Sequence, residues 1–188
     1  DLYDLLWDLE SLFQQRATQK GLTLRVERAP DLSRFVVADA GKLRQILINL
    51  LGNAVKFTAR GGVTLTTRSQ SAGPAGDRLV IEVEDSGPGI PAEDLPRLFQ
   101  RFEQTRTGRE ARTGTGLGLA ISQGFARLMG GDIGVRSRPG TGSVFTLDVP
   151  VGRSSAGLAP PRPEGGRIAR LSPESSGRRI LVADDVPE

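Results

Sequence analysis

The apolar positions of this chain follow two periods. Leu2, Leu5, Leu6, Leu9, Leu12 and Phe13 recur every three or four residues, which predicts a helix with one apolar stripe, and Gly21 is placed to end it. "LTLRVE" (22–27) alternates as a strand does. "RFVVAD" (34–39) predicts a second, short strand whose Asp39 can cap a following helix. In that helix Leu43, Ile46, Leu47, Leu50, Leu51, Ala54 and Val55 fall on one face. "VTLTTRS" and "RLVIEVED" predict two strands around the turn "SAGPAGD", and "SGPGIP" predicts a loop. "EDLPRLFQRF" (93–102) predicts a short helix, and Thr105 to Thr113, polar and rich in arginine, a mobile segment. "GLGLAISQGFARLMGG" (116–131) predicts a helix that opens and closes on glycines. "DIGVRSR" and "SVFTLDVP" predict a hairpin around "PGTG".

The texture changes at Gly152. Residues 152–177 are rich in Pro, Gly, Ser and Arg and poor in apolar side chains, which predicts a flexible linker. The final "RRILVADDVPE" (178–188) reads as a new strand followed by an acidic pair. The expected organisation is a folded domain over 1–151, a linker, and the start of a further domain. A chain of 188 residues with 37% apolar content supports one domain with a sizeable core.

Composition narrows the chemistry. The chain has no cysteine, which excludes a disulfide framework and thiolate metal sites within it. It has no histidine, which excludes Ser-His triads and histidine acid–base catalysis by this chain. No apolar run approaches the ~20 residues that span a bilayer, so a cytoplasmic piece without membrane contact is expected. The formal charge of +3 is mild. Aromatic content of 5% without basic–aromatic interleaving argues against a nucleic-acid partner.

Three stretches carry candidate chemistry. In "NLLGNAVKF" (49–57), Asn49, Asn53 and Lys56 form a polar stripe beside the apolar face. Amide oxygens suit Mg²⁺ and a lysine supplies a point charge for phosphate; the plainer reading is amides bonded to neighbouring backbone or water. "EDSGPGI" (84–90) ends a strand on Asp85 and continues with glycines. It reads either as a capped turn or as a carboxylate facing a cleft that glycines keep open. In "GTGLGLAI" (114–121), glycines 114, 116 and 118 expose backbone N–H groups at a helix start. That is a phosphate cradle or a hinge. It is neither a dinucleotide fingerprint nor a Walker A loop, because the glycine spacing differs and no Gly-Lys-Ser/Thr follows.

These stretches and the order of elements resemble the ATP-binding catalytic domain of sensor histidine kinases, and hybrid kinases in particular. "NLLGNAVKF" resembles the family's N box, "DSGPGI" its G1 box, "LFQRF" its F box and "GTGLGLAI" its G2 box. The terminal "ILVADDVPE" resembles the first strand and acidic pair of a receiver domain. The resemblance implies a two-layer α/β sandwich, the Bergerat ATP-binding fold, with a mixed sheet, about three helices and a mobile ATP lid. It implies the cofactors ATP and Mg²⁺. Asn53 would bind the metal with Asn49 in support, Lys56 would face phosphate, and Phe57 would pack on the adenine. Asp85 would accept the adenine amino group, with Gly87 and Gly89 leaving room for the base and Ile90 lining it. Gly114, Thr115, Gly116, Leu117 and Gly118 would free the lid and approach the phosphates. Phe99 and Phe102 would anchor the lid, and Gln104 would reach Mg²⁺ or the γ-phosphate. Arg106, Arg109 and Arg112 of the lid have no role assigned by motif position. The phosphoacceptor histidine of the family lies on a preceding dimerisation helix pair, and this chain has none. The implied activity is donation of the ATP γ-phosphoryl group to a histidine supplied elsewhere, by a fragment expected to be monomeric. Two alternatives share the fold. One is a nucleotide-sensing pseudokinase. The other is a hydrolytic ATPase, whose type places a glutamate base where Asn49 stands.

Overall fold

The computed structural model describes residues 1–71, 76–102 and 116–153. Helix α1 (Leu2–Gln19) starts on Asp1, whose carboxylate accepts the Asp4 N–H. It buries Leu2, Leu5, Leu6, Leu9, Phe13 and Ala17, while Leu12 stays 43% exposed and falls off the stripe expected of it. The helix stops as Gly21 takes φ +69°; Gly21 N–H then bonds Thr18 O and Leu22 N–H bonds Ala17 O, the paired bonds of a Schellman cap. Strand β1 (Thr23–Arg28) follows, then the two-residue β2 (Val36–Val37), shorter than expected.

Helix α2 (Ala40–Phe57) is capped by Asp39, which accepts Lys42 N–H at 2.9 Å and pairs with the Lys42 ammonium. Those hydrogen bonds hold the Asp39 carboxyl below its ordinary range. All seven apolar positions expected on its inner face are buried, and the Leu, Ile and Val side chains among them contribute roughly 1.5–3 kcal/mol each relative to exposure. Beyond it come β3 (Gly62–Ser71), β4 (Asp77–Asp85), α3 (Gly118–Leu128), β5 (Asp132–Arg138) and β6 (Gly142–Arg153). The stretch expected as a short helix at 93–102 is only a 3₁₀ turn at Leu95–Arg97, because Pro96 inside it lacks the N–H that a longer helix would use. Strand β6 runs to Arg153, two residues beyond the expected boundary, because Gly152 and Arg153 pair with β2.

The strands form a mixed sheet in the order β1-β3-β4-β6-β2, with β5 also on β6. Among the described residues only β1 and β3 pair in parallel, and α2 lies in the connection between them, as a parallel crossover requires. One sheet face is apolar: Val63 and Leu65 on β3, Leu79, Ile81 and Val83 on β4, and Phe145, Leu147 and Val149 on β6 join the helices in one core. The other face is polar, with Arg68 and Arg136 on Glu82 and Arg78 on Asp148. The expected two-layer α/β sandwich with three helices among the described residues is therefore what the chain forms. The lid expected around 104–113 and the linker and strand expected after Arg153 lie outside the described residues.

Candidate functional site

The helix-facing alternation of β4 runs Leu79, Ile81, Val83 and then Asp85, so a carboxylate takes the last inward place of an apolar row. Asp85 is 8% exposed, and it accepts the Gly87 N–H at 2.8 Å. Burial raises its pKa above the ordinary carboxylate value, against the lowering effect of the Gly87 and Ser143 backbone N–H groups. A Cβ at residue 87 would meet Asp85 Oδ1 at 2.8 Å, Phe57 O at 3.3 Å and Thr58 Oγ1 at 3.4 Å. Asp85, Gly87 and the C-terminal end of α2 thus converge. Gly89 is demanded by the backbone: it has φ +69°, and a Cβ there would lie 2.1 Å from Arg138 O. The same loop is tied to the β5–β6 hairpin by Ile90 N–H to Ser137 Oγ (2.7 Å) and Gly140 N–H to Pro88 O (2.7 Å).

On α2 the polar stripe lies beside the buried face. Asn49 and Asn53 are half-buried, Lys56 is exposed, and the Lys56 ammonium stands 4.7 Å from the centroid of the Phe57 ring. Asn49 Nδ2 donates to Ser122 Oγ of α3 at 2.9 Å, and Ser122 is only 2% exposed. A Cβ at Gly118 would lie 2.4 Å from Asn49 Oδ1. The first asparagine is therefore set between α2 and the start of α3, with its nitrogen on Ser122 and its oxygen toward Gly118. The glycine at 118 is what lets the α3 start come this close.

The segment leading to the expected lid behaves in two ways. Phe99 packs against the core, as an anchor should. Phe102 does not: its side chain is 75% exposed and its backbone has φ +64°, a conformation few non-glycine residues adopt. Its contribution is through the backbone, because Phe102 N–H donates to Gly116 O at 3.1 Å and joins the two ends of the undescribed stretch. Leu117 precedes α3 at the described end of that stretch. Gln104, Arg106, Arg109, Arg112, Gly114 and Thr115 lie outside the described residues.

Four residues at the site carry no motif signal strong enough to find them. Ser122 and Ser137 are ordinary polar residues in sequence, and only the packing puts them on Asn49 and Ile90. Thr58 is buried, its hydroxyl donating to Ala54 O at 2.7 Å as it closes α2. Lys20 reaches the same helix end from α1. The one hint available was that Thr58 directly follows the "NAVKF" run.

Among the described residues no group of three or more acidic, histidine or cysteine side chains could hold a metal ion, and no helix is long and apolar enough to cross a membrane.

Comparison with known proteins gives a consistent answer. The family model described as histidine kinase-, DNA gyrase B-, and HSP90-like ATPase matches residues 38–153. The aerobic respiration control sensor protein ArcB of Escherichia coli is 46% identical over 151 residues, 79% of this chain and 19% of that protein. Sensor histidine kinase AruS of Pseudomonas aeruginosa is 36% identical over 203 aligned residues, 98% of this chain and 20% of that protein. The chain thus spans about a fifth of the length of these two relatives. Among solved structures, full-length ShkA in complex with AMPPNP aligns with a TM-score of 0.71 at 38% identity, covering 83% of this chain and 31% of that one. This chain belongs to the histidine kinase-, DNA gyrase B- and HSP90-like ATPase family, as an ATP-binding domain of the sensor histidine kinase kind.

Proposed function

We propose that this domain holds Mg-ATP between α2, the Asp85–Ile90 loop and the start of α3, and presents the γ-phosphoryl group to a histidine carried on a dimerisation domain of the same kinase. The observation that carries the reading is the convergence of Phe57, Thr58, Asp85 and Gly87 at one end of α2, with Asn49 meeting Gly118 and Ser122 further along the same helix. The likeness to full-length ShkA, solved in complex with the ATP analogue AMPPNP, supports a nucleotide as the ligand. Phe57 would take the adenine face, and Asp85 would accept its amino group. Lys56 would meet phosphate, and Gly114 to Gly118 would bring backbone N–H groups to the phosphates.

Magnesium fits the residues present. Mg²⁺ takes hard oxygen donors and keeps several waters, so one or two amide oxygens beside phosphate oxygens suffice. Asn53 would supply the first; Asn49, its nitrogen already on Ser122, keeps its oxygen for support. When bound, the metal would neutralise the β- and γ-phosphate charge. In the transfer itself an imidazole nitrogen of the acceptor histidine forms the bond to the γ-phosphorus as the bond to the leaving oxygen breaks and ADP departs. The histidine is its own nucleophile, so this chain needs to supply no base. An amide at position 49 also cannot take a proton from water, which sets the reading apart from a hydrolytic ATPase. The downstream partner in this reading is a receiver domain, whose opening the sequence from residue 178 resembles. Any membrane anchor of the whole kinase would lie elsewhere in it.

The test is calorimetric titration of Mg-ATP into this chain, followed by addition of a histidine-bearing dimerisation domain and γ-labelled ATP. Binding and label transfer to the added histidine are expected. Binding without transfer would leave a nucleotide-sensing module, and steady hydrolysis without an acceptor would point to the ATPase alternative.

A further inference from the structure

Lys20 ends α1 but spends its side chain on another helix. The Schellman cap fixes its backbone, with Gly21 at φ +69° and Leu22 N–H on Ala17 O. From there its ammonium donates to Val55 O at 2.7 Å, Lys56 O at 2.9 Å and Thr58 O at 3.1 Å. An ammonium has three N–H donors and no acceptor, so its whole donor set is committed to the C-terminal end of α2. Those carbonyls are groups that a helix end leaves without intrahelical partners, and the helix dipole puts negative charge there. The Ala54 carbonyl beside them is taken by both the N–H and the hydroxyl of Thr58. The turn pinned in this way carries Lys56 and Phe57, and its far side meets Gly87 next to Asp85.

We propose that Lys20 is a positioning residue of the nucleotide site. It holds the last turn of α2 in the shape that sets Phe57 and Thr58 against the Asp85–Gly87 corner. The inference rests on the nucleotide reading above for the identity of the ligand, whereas the clamp itself stands on the geometry alone. Lys20 acts through α2 and makes the position of α1 a determinant of the base end of the site.

The test uses Lys20→Gln in the full chain, with Leu5→Ala as a control that lowers stability from a buried position at the other end of α1. Without nucleotide, amide hydrogen exchange at Phe57 and Thr58 should be about fivefold faster in Lys20→Gln, with the first turns of α2 unchanged. Leu5→Ala should not give that local pattern. Mg-ADP affinity should fall about fivefold in Lys20→Gln, while the ratio of affinities with and without Mg²⁺ is kept. Unchanged exchange at Phe57 and Thr58 overturns the clamp. Faster exchange with parental Mg-ADP affinity overturns the positioning role. A parent chain that binds no Mg-ADP removes the nucleotide reading and the positioning role together, and the exchange measurement then still decides whether Lys20 holds the turn.

Discussion

Asp85 is a residue whose burial costs the fold and which, in the proposed reading, would accept the adenine amino group. Burial raises its folded pKa above the ordinary value of 3.8, so the folded state holds the proton more tightly than the unfolded chain. The associated stability is fully present below pH 3.8 and is lost as pH rises through the raised folded value. At neutral pH the buried charge is therefore a net cost, and Asp85→Asn should melt higher than the parent without nucleotide, an advantage that fades as pH falls toward 3.8. Equal melting at neutral pH would remove this account. The same change should harm adenine binding. The asparagine oxygen keeps the Gly87 N–H, and an NH₂ group replaces the second carboxylate oxygen, so donor faces the adenine amino donor. ADP should weaken at least about tenfold, and GDP, with a carbonyl oxygen at that position, much less. Competition titration of the two nucleotides against both proteins reads this, and an unchanged preference would take base reading away from Asp85.

At the scale of elements, the α2–α3 contact depends on a missing side chain. Gly118→Ala stands at the first position of α3, where interior helix propensity adds little, and its Cβ has only the end of the Asn49 side chain to displace. The melting temperature should therefore change little. Binding should not escape: moving Asn49 off Ser122 disturbs the polar stripe, and Mg-nucleotide affinity should drop about tenfold. Calorimetry and thermal melting on the same samples separate the two effects, and parental affinity in the variant would show that Asn49 has another acceptable place. The elements themselves were largely legible, because α2 writes its inner face in seven apolar residues and Asp39 marks its start. The exceptions have local causes. Pro96 reduced an expected helix to one 3₁₀ turn, and Phe102 lies on the surface although the resemblance to the F box implied a second anchor.

For the whole molecule, the end of the sheet is decided by a long-range pair. Strand β2 has only two residues, and both pair with Gly152 and Arg153. A chain ended after Val151 loses that pairing, and one ended after Arg153 keeps it. The shorter form should melt about 2–4 °C lower, the shift that roughly 1 kcal/mol gives in a domain of this size. Identical melting curves would show that β2 adds nothing. Composition alone placed this boundary at 151, because glycine and arginine read as linker residues and their strand partner lies more than a hundred residues earlier.

Local signals in the sequence were enough to specify the three α-helices of the described residues, most strand positions and the motif boxes. Each depends on periodicity, a cap or a spacing within a few residues, where the backbone's own geometry dictates which side chains share a face. Only the tertiary structure decided what those faces meet. That Asn49 shares a hydrogen bond with Ser122, that Gly89 is held against Arg138, and that Lys20 closes the end of α2 are contacts between residues 73, 49 and at least 35 positions apart. No local preference encodes such pairs, because a serine, a glycine or a lysine satisfies its own segment equally well in many places. Their roles follow from close packing of the core, which leaves one arrangement in which the buried polar atoms of this site find partners.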